Sequence, residues 1–337
     1  MSTIDPKVSI LLPVYNAIPF LEECLESIMV QSEQNWELLA VNDFSEDESG
    51  IILRTYAAKD SRIKVFDNTE KGIIPALRLA YSNSSGQLIT RMDADDLMVP
   101  EKLKILKQIL LSKGRGVLAT GKVKYIAEHT LGGGYQRYEA WLNRLVDNGN
   151  HFQEIYRECV IPSPCWMVWR QDLDICKAFE PNIYPEDYDL VFRFYEFGLK
   201  PVGSDEVLHY WRDHDSRSSR NDPHYANQQY FKLKVPRFLQ LDRQPERPLV
   251  LWGAGKKGKL LASMLSQKEQ KFRWVCNSPS KWGHEVYGVP FESTKTVDLL
   301  ENPQVIIAVG NPEDQETIRV ELEELGKVKG RDYFFFC

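Results

Sequence analysis

Apolar runs of strand length alternate in the first part of the chain with segments whose apolar residues recur at helical spacing. In LEECLESIM, Leu21, Leu25, Ile28 and Met29 fall on one face of a helix, which we assign to core packing. The strand-like runs are VSILLPVY, WELLAVND, KVFD and QLITRMD. Strands that alternate with helices are typical of a parallel, doubly wound sheet, so the predicted fold class is α/β.

The pattern changes after Asp96. A helix is predicted in VPEKLKILKQILLS and a strand in VLATGKVKYIA, and the glycines at 132–134 then predict a break that is mobile or tightly turned. From there to about Tyr230 the sequence is rich in aromatic residues and weakly periodic.

A second domain is predicted toward the carboxyl end. The segment LDRQPERP combines two prolines with mixed charge, as linkers do, and an apolar run of strand length restarts at Leu249. We therefore predict a mostly parallel, Rossmann-like domain over residues 1–241 and a smaller Rossmann-like α/β domain over residues 242–337.

The second domain opens with WGAGKKG, in which Gly253, Gly255 and Gly258 have the spacing of a dinucleotide-binding turn. Such a site also needs an acidic residue for the cofactor ribose at the end of the next strand. That strand, KFRWVCN, ends instead in Cys276 and Asn277. We interpret the glycines as a tight turn with close helix–strand packing and expect no NAD.

Composition and charge narrow the class of protein. The 337 residues are 43% hydrophobic with a formal net charge of −6, which argues against wholesale nucleic-acid binding but leaves local basic patches open. No apolar run approaches the ~20 residues of a membrane helix, and the sequence opens without signal-peptide features. The six cysteines lack metal-ligand spacing. We expect a cytoplasmic protein with reduced thiols and no stable membrane insertion.

Carboxylates follow two of the predicted strands. Asp43 ends WELLAVND, and Asp93, Asp95 and Asp96 follow QLITRM. Ligands of open parallel sheets bind beyond the carboxyl ends of the strands. Neighbouring carboxylates repel each other unless a positive charge compensates, and a divalent cation on a substrate diphosphate would supply that charge. The alternative is an acidic cap for the helix predicted to begin near Pro100.

Two more polar clusters lie in the weakly periodic part of the chain. Glu186 and Asp187 precede the amphipathic LVFRFYEFGLK, so a carboxylate there could remove a proton from an attacking hydroxyl or could cap the helix. In YWRDH, Arg212 and His214 could face a diphosphate or lie on a polar loop. Each cluster has a structural alternative, so its meaning depends on which other clusters lie beside it.

In their order along the chain, these motifs resemble the family 2 glycosyltransferases, which have the GT-A fold. The resemblance covers about the first 220 residues and is carried by VSILLPVYNA, LEECLESIMVQ, WELLAVNDFSEDES, KGIIPALRLA, MDADD, PEDYDL and YWRDH. It implies transfer of a sugar from a nucleotide donor, usually a UDP-sugar, with inversion at the anomeric carbon.

The resemblance assigns donor-binding residues. It implies that Pro13 and Tyr15 flank the nucleobase, that Asp43 hydrogen-bonds the uracil, and that Asp93 faces the ribose and the donor sugar. It also implies a donor contact for Arg78.

Metal and catalytic residues follow from the same resemblance. It implies that Asp95, with His214 as a second ligand, holds Mn²⁺ or Mg²⁺ on the diphosphate and that Arg212 binds the donor beside them. Asp187 is then the catalytic base, and Glu186 orients it or the acceptor.

Two segments depart from the family pattern. The chain reads VNDFS, with Asn42 and Phe44, where family members often read VDDGS. It reads LRL around Arg78 where they often read ARN. The first departure leaves Asp43 in place, whereas the second weakens the case for Arg78 as a donor ligand.

Within the family, the full-length layout is similar to transferases that add galactose to queuosine at the wobble position of tRNA. This similarity includes YEAWLNRL, PSPCWMVWR and the terminal GRDYFFF. It implies UDP-galactose as donor and tRNA as acceptor. The alternatives are a transferase for a cell-surface glycan or lipid-linked acceptor, an NAD-dependent oxidoreductase, and a non-catalytic RNA-binding module.

Two further features are compatible with an RNA acceptor or with ordinary structure. Trp166 and Trp169 could stack on the acceptor or belong to the core. A basic track or a solvated surface is formed by Arg217, Arg220, Lys232, Lys234 and Arg237.

Overall fold

The computed structural model describes residues 5–128, 130–225 and 227–337, and the chain falls into two units. Unit 1 contains Met1–His151 and Val160–Asn221, and unit 2 contains Phe152–Cys159 and Asp222–Cys337. Within the described residues, no helix combines the length and the apolar character needed to cross a membrane.

Up to β4, the strands and helices of unit 1 alternate as the hydrophobic pattern predicts. Its strands are β1 (Val8–Val14), β2 (Trp36–Asn42), β3 (Ile63–Asp67), β4 (Leu88–Arg91), β5 (Leu97–Met98), β6 (Val117–Ile126), β7 (Trp166–Trp169) and β8 (Lys200–Arg212). Its helices are α1 (Leu21–Met29), α2 (Ser49–Lys59), α3 (Ile73–Ser82), α4 (Lys102–Lys113), α5 (Gly133–Asn148), α6 (Arg170–Ile175), α7 (Glu186–Glu196) and α8 (Ser218–Asn221).

The strands of unit 1 form one mixed sheet in the order β3-β2-β1-β4-β7-β6-β8-β5. The first four strands in that order are parallel, β7 is antiparallel to both β4 and β6, and β8 is parallel to β6. The residues of β4 and most of those of β1 and β2 are buried, as in a sheet covered on both faces. The α/β fold class is confirmed, and the strand order reverses between β1 and β4.

The prediction of a mobile or tightly turned break at glycines 132–134 is wrong, because two of these glycines lie in a helix. Helix α5 begins at Gly133 and continues to Asn148. Glycine disfavours helix locally, but Trp141, Leu142 and Leu145 are buried on the inner face of α5, and this burial outweighs the propensity cost.

Unit 2 has a second, smaller sheet. Its strands are β9 (Leu249–Trp252), β10 (Arg273–Val275), β11 (Glu285–Val286), β12 (Val289–Glu292), β13 (Gln304–Ile307) and β14 (Tyr333–Phe335). Its helices are α9 (Asn227–Leu241), α10 (Lys256–Gln267), α11 (Thr296–Leu299) and α12 (Pro312–Glu324). Short 3₁₀ helices span His151–Glu154, Pro223–Tyr225 and Pro279–Lys281. The strand order is β11-β12-β10-β9-β13-β14, parallel except for the β11–β12 hairpin.

Unit 2 extends beyond the segment that the linker pattern marks. An aromatic cluster joins Tyr156 to Phe238 of α9 and to Phe334 and Phe336 near the carboxyl end, with ring centroids 5.3–5.6 Å from Tyr156. Because these rings come from distant parts of the sequence, residues 152–159 and 222–241 pack with unit 2 although they precede residue 242.

Two glycines of WGAGKKG have a packing role in unit 2. A Cβ on Gly258 would lie 2.0 Å from the carbonyl oxygen of Gly253, and a Cβ on Gly253 would lie 2.9 Å from that of Ala308. A Cβ on Gly255 would meet no atom within 4 Å. The Asn277 amide oxygen accepts a hydrogen bond from Trp252 Nε1 at 3.0 Å. Close packing of α10 on the sheet therefore accounts for Gly253 and Gly258.

Gly258→Ala is expected to reduce the free energy of unfolding by about 1–3 kcal/mol, because the added methyl group overlaps a backbone carbonyl that α10 cannot move away from. Gly255→Ser is the matched control, since its Cβ enters open space and serine is a good helix N-cap. Thermal and denaturant unfolding of both variants measure the difference. Equal stability of the two variants would contradict the packing role.

Candidate active site

The loops after β1, β2 and β4 meet at one edge of the unit 1 sheet. Val14, the last residue of β1, is in register with Asn42 of β2, and the Asp43 amide donates to the Val14 carbonyl at 2.7 Å. On the other side of β1, the Met92 amide donates to the Leu11 carbonyl at 2.9 Å. This edge is where the strand order reverses, so a ligand-binding crevice is expected here.

Asp43 is a buried carboxylate at this edge. Its carboxylate is 6% exposed and accepts hydrogen bonds from Asn68 Nδ2 at 2.7 Å and from the Gly72 amide at 3.0 Å. An ionised carboxylate has about four acceptor positions, so these donors leave capacity for a ligand N–H. Tyr15, just after β1, is 47% exposed, and Lys71 Nζ lies 4.7 Å from its ring centroid.

The predicted acids Asp93 and Glu186 are joined by Arg91, which the sequence analysis did not single out. Arg91 ends β4 with only 5% of its side chain exposed, and its Nε donates to Asp93 Oδ1 at 2.8 Å while its Nη1 donates to Glu186 Oε1 at 3.0 Å. A buried cation needs anionic partners. The position of an arginine at the end of an apolar strand, just before MDADD, could therefore have identified Arg91 as a site residue from the sequence. Its two bonds bring together segments 95 residues apart.

Asp187 lies beside this pair in the first turn of α7. Burial and the negative charge of Glu186 raise the pKa of Asp187 to about 7, although Arg91 acts in the opposite direction. The N-cap of α7 is Pro185, so neither Glu186 nor Asp187 is the capping residue. A carboxyl group with a pKa near neutrality is suited to accept a proton from a substrate hydroxyl.

Asp93 connects the two acidic clusters electrostatically. Burial raises the pKa of Asp93, and the charges of Asp95 and Glu186 raise it further, while Arg91 lowers it. Arg91, which binds both Asp93 and Glu186, places the MDADD loop beside the start of α7.

Asp95 pairs with His214 at the other side of the MDADD loop. Asp95 Oδ2 lies 2.9 Å from His214 Nε2, and Arg212 Nε donates to the Asp95 carbonyl at 2.9 Å. Burial alone would raise the pKa of Asp95, but the hydrogen bond from His214 and the charge of Arg217 hold it below its usual value. A cavity of about 190 Å³ adjoins the pair and is lined by Phe20, Glu128, Arg212, Asp213, His214 and Asp215.

Among the residues described, no group of three or more acidic, histidine or cysteine side chains is placed to hold a metal ion. A cation held by Asp95 and His214 would therefore have to take its remaining ligands from substrate. Mg²⁺ and similar ions are held in many enzymes by one or two carboxylates plus substrate phosphates. Such an ion, when bound, would supply charge neutralisation for a departing diphosphate.

A buried polar chain supports the MDADD loop from behind. Asp96 accepts from the Arg212 amide at 2.8 Å and lies 2.9 Å from His209 Nε2, and His209 Nδ1 lies 3.1 Å from Lys102 Nζ. Lys102 also donates to the Pro164 carbonyl at 2.5 Å. Burial lowers the pKa of His209 well below its usual value, so we assign a neutral ring that donates from Nε2 to Asp96.

The capping alternative for the MDADD acids is wrong. Helix α4 begins at Lys102 and has Glu101 at its N-cap, whereas Asp93, Asp95 and Asp96 precede the short strand β5. The acids therefore belong to the loop between β4 and β5, and the sequence pattern placed the start of α4 about two residues too early.

Arg78 is engaged away from the carboxylates. Its Nε donates to the Phe179 carbonyl at 3.0 Å, and its Nη2 donates to the Glu180 carbonyl at 2.9 Å and to Asn182 Oδ1 at 3.0 Å. Arg78 thus fixes the loop that leads into α7. Its predicted contact with the donor stays a prediction.

Several residues considered for an RNA acceptor lie in packed surroundings. Trp166 is 2% exposed and packs edge-on against Phe194, with ring centroids 5.7 Å apart. Lys234 is 3% exposed and donates to the Arg157 carbonyl at 2.8 Å. The guanidinium of Arg217 lies 5.2 Å from the Trp211 ring centroid. Trp166 and Lys234 are therefore core residues, each within its own unit.

Fold and site together define a GT-A protein, in which a Rossmann-like sheet presents acidic loops at its carboxyl edge. Residues 9–176 match the sequence profile of Glycosyl transferase family 2. Solved structures share the fold: S. aureus TarS in complex with UDP-GlcNAc has a TM-score of 0.55 at 17% identity, covering 77% of this chain and 71% of that chain. A mannosyltransferase from Pyrobaculum calidifontis, in complex with GDP-Man and Mn²⁺, has a TM-score of 0.51 at 18% identity, covering 71% and 68%.

Curated relatives also carry glycosyltransferase names. An uncharacterized glycosyltransferase of Rickettsia bellii is 29% identical over 189 residues, which is 54% of this chain and 24% of that protein. Glycosyltransferase GlyA of Streptococcus pneumoniae is 30% identical over 160 residues, or 45% and 22% of the two chains. The putative glycosyltransferase EpsE of Bacillus subtilis is 40% identical over 125 residues, or 36% and 44%. The match thus spans only about a quarter of the first relative's length.

Arg91→Lys is expected to reduce the free energy of unfolding by about 1–3 kcal/mol, because an ammonium group cannot span Asp93 and Glu186 as the guanidinium fork does. Arg54→Lys is the matched control, since Arg54 binds Asp67 in the same way but both side chains are more than half exposed. Because this pair is exposed, Arg54→Lys is expected to reduce the free energy of unfolding by less than about 0.5 kcal/mol. Denaturant unfolding of both variants tests this, and equal losses would contradict the role assigned to Arg91.

Proposed function

We propose that this protein is a metal-dependent inverting glycosyltransferase that moves a hexose from a UDP-sugar to a hydroxyl group of an acceptor. The observation that carries the proposal is the convergence, through Arg91, of Asp93, Glu186 and Asp187 at the carboxyl edge of the sheet. The Asp95–His214 pair borders the same loop.

Asp187 is the proposed general base. Its elevated pKa makes it basic enough to take the acceptor proton as the hydroxyl oxygen attacks the anomeric carbon. Glu186 stays bonded to Arg91, which keeps the first turn of α7 in position against Asp93. Direct attack needs no covalent intermediate on the protein, and inversion follows from attack opposite the leaving group.

The donor site is proposed to combine the loops after β1, β2 and β4 at the sheet edge. Asp43, Pro13 and Tyr15 would take the uracil end of the donor, and Asp95 with His214 would hold Mn²⁺ or Mg²⁺ at the diphosphate, beside Arg212. The complexes of TarS with UDP-GlcNAc and of the Pyrobaculum mannosyltransferase with GDP-Man and Mn²⁺ support a nucleotide-sugar donor on this fold.

We further propose UDP-galactose as the donor and queuosine in tRNA as the acceptor. Support comes from the full-length layout, in which the transferase domain is followed by the WGAGKKG unit and a terminal GRDYFFF. The residues proposed for the donor site do not distinguish galactose from other hexoses. Identifying the acceptor therefore distinguishes this proposal from a transferase for a glycan or lipid-linked substrate.

One assay tests the function directly. The protein is incubated with Mn²⁺, total tRNA and, in separate reactions, UDP-galactose, UDP-glucose and UDP-GlcNAc, and the digested nucleosides are analysed by mass spectrometry. A hexose on queuosine with UDP-galactose is the expected result. A parallel reaction replaces the tRNA with glycan acceptors. Transfer to a glycan without a modified nucleoside would support the transferase and reject the tRNA acceptor.

Asp187→Asn is expected to abolish transfer while leaving UDP affinity nearly unchanged, because the amide cannot accept the proton. It is also expected to stabilise the fold above pH 7. The folded-state pKa is raised, so wild-type protein keeps an unfavourable charge there that the unfolded chain carries without cost, and the neutral amide removes it. The gain, on the order of 2 kcal/mol, should vanish toward pH 4.

Transfer rates and thermal unfolding measured from pH 5 to pH 8.5 test this expectation. Wild-type transfer should decline as the pH falls below about 7, the pKa of Asp187. Near-wild-type turnover of Asp187→Asn would mean that another group is the base.

Asp95→Ala is expected to weaken Mn²⁺-dependent UDP binding by at least about tenfold, since a carboxylate–metal contact is lost. Calorimetric titration with UDP, with and without Mn²⁺, measures the change. Glu23→Ala is the control, because Glu23 binds Arg212 at the rim but does not contact Asp95 in the described structure. An unaltered Mn²⁺ dependence in Asp95→Ala would reject the ligand role.

A further inference from the structure

Phe44 adopts a backbone conformation that bulky residues rarely take. It follows Asp43 at the end of β2 with φ at +58°, in the left-handed region, and its side chain is 46% exposed. A large side chain is disfavoured in this region relative to glycine. A strained residue at the rim of a predicted ligand pocket calls for a cause.

Other aromatic residues with positive φ have a structural cause. Phe179, at +63°, is 8% exposed, so its burial compensates for the backbone. Tyr287, at +54°, is followed by Gly288 at +74° in the two-residue turn of the β11–β12 hairpin, where both positions require positive φ. Phe44 is neither buried nor in a hairpin, and within the described residues its ring stacks on no other ring.

Hydrogen bonds on both sides hold the loop that carries Phe44. The Ser45 amide donates to Asn42 Oδ1 at 3.3 Å, the Glu46 amide donates to Asn16 Oδ1 at 2.8 Å, and the Asn16 amide donates to Ser45 Oγ at 3.1 Å. The loops after β1 and β2 are thus tied together. They present Phe44 in a fixed conformation rather than allowing it to relax.

Asp43 and Tyr15 lie on the two neighbouring loops. Asp43 could accept from a base N–H, and the Tyr15 ring, 47% exposed, has the Lys71 ammonium 4.7 Å from its centroid. Stacking on an aromatic face contributes binding energy for a planar base. Phe44 directly follows Asp43 in the sequence, and its ring is 46% exposed and, among the described residues, stacks on no other ring.

We propose that Phe44 is a donor-specificity residue that stacks on the nucleobase of the nucleotide donor. Asp43 then recognises the edge of the base while Phe44 covers one of its faces. The inference rests on the proposed function. It explains why an exposed phenylalanine is kept where glycine would fit the backbone better.

Phe44→Gly separates this role from a structural one. The substitution removes the ring and relieves the backbone, so we expect the melting temperature to rise by about 1–4 °C. We expect the Kd for UDP with Mn²⁺ to rise about tenfold, the range of one lost base–aromatic stack. Phe44→Tyr keeps the ring and should bind UDP like the wild type. Tyr287→Gly removes an exposed aromatic ring from another left-handed residue, in unit 2, and should leave the Kd unchanged.

Calorimetry and differential scanning fluorimetry on the four full-length proteins distinguish the outcomes. Saturation-transfer NMR adds a local readout, because the uracil H5 and H6 signals should weaken relative to the ribose signals in Phe44→Gly. Wild-type UDP affinity in Phe44→Gly, or a fall in both its affinity and its melting temperature, would overturn the inference. If folded wild-type protein binds no UDP, the proposed function fails and this inference fails with it.

Discussion

The contact on which the site depends is the buried fork of Arg91 between Asp93 and Glu186. In this contact one guanidinium binds two carboxylates, and all three side chains are mostly buried. Loss of any one of them leaves uncompensated charge in the interior. It also lies beside Asp187, whose pKa is raised by burial and by the charge of the neighbouring Glu186. The same arrangement therefore stabilises unit 1 and surrounds the carboxyl group that we propose as the base.

A second constraint is the way polar loops are held at the sheet edge. The chain from Asp96 through His209 to Lys102 is buried, and it supports the MDADD loop from the side opposite the crevice. Arg212 binds the same loop through the carbonyl of Asp95. These hydrogen bonds make the short MDADD loop rigid. Preorganised binding of a charged diphosphate requires such rigidity.

The WGAGKKG turn of unit 2 and the turn after β2 differ in physical cause. In WGAGKKG, a side chain on Gly258 would overlap the backbone of Gly253, so helix–sheet packing accounts for that glycine. After β2, the left-handed conformation would suit glycine, yet the chain has Phe44. The ligand contact that we propose for Phe44 gives a reason for this residue.

The sequence alone predicted the alternating strands and helices up to about residue 126 and the element ends at which Asp43, Asp95 and Asp187 lie, because these follow from local periodicity and short motifs. It missed α5, which begins at Gly133, since burial of Trp141, Leu142 and Leu145 outweighed the low helix propensity of glycine. Only the tertiary structure revealed Arg91 as the link between two acidic segments. Contacts between residues far apart in the chain leave no local pattern, and the energy of a buried charge depends on which partners the fold brings to it.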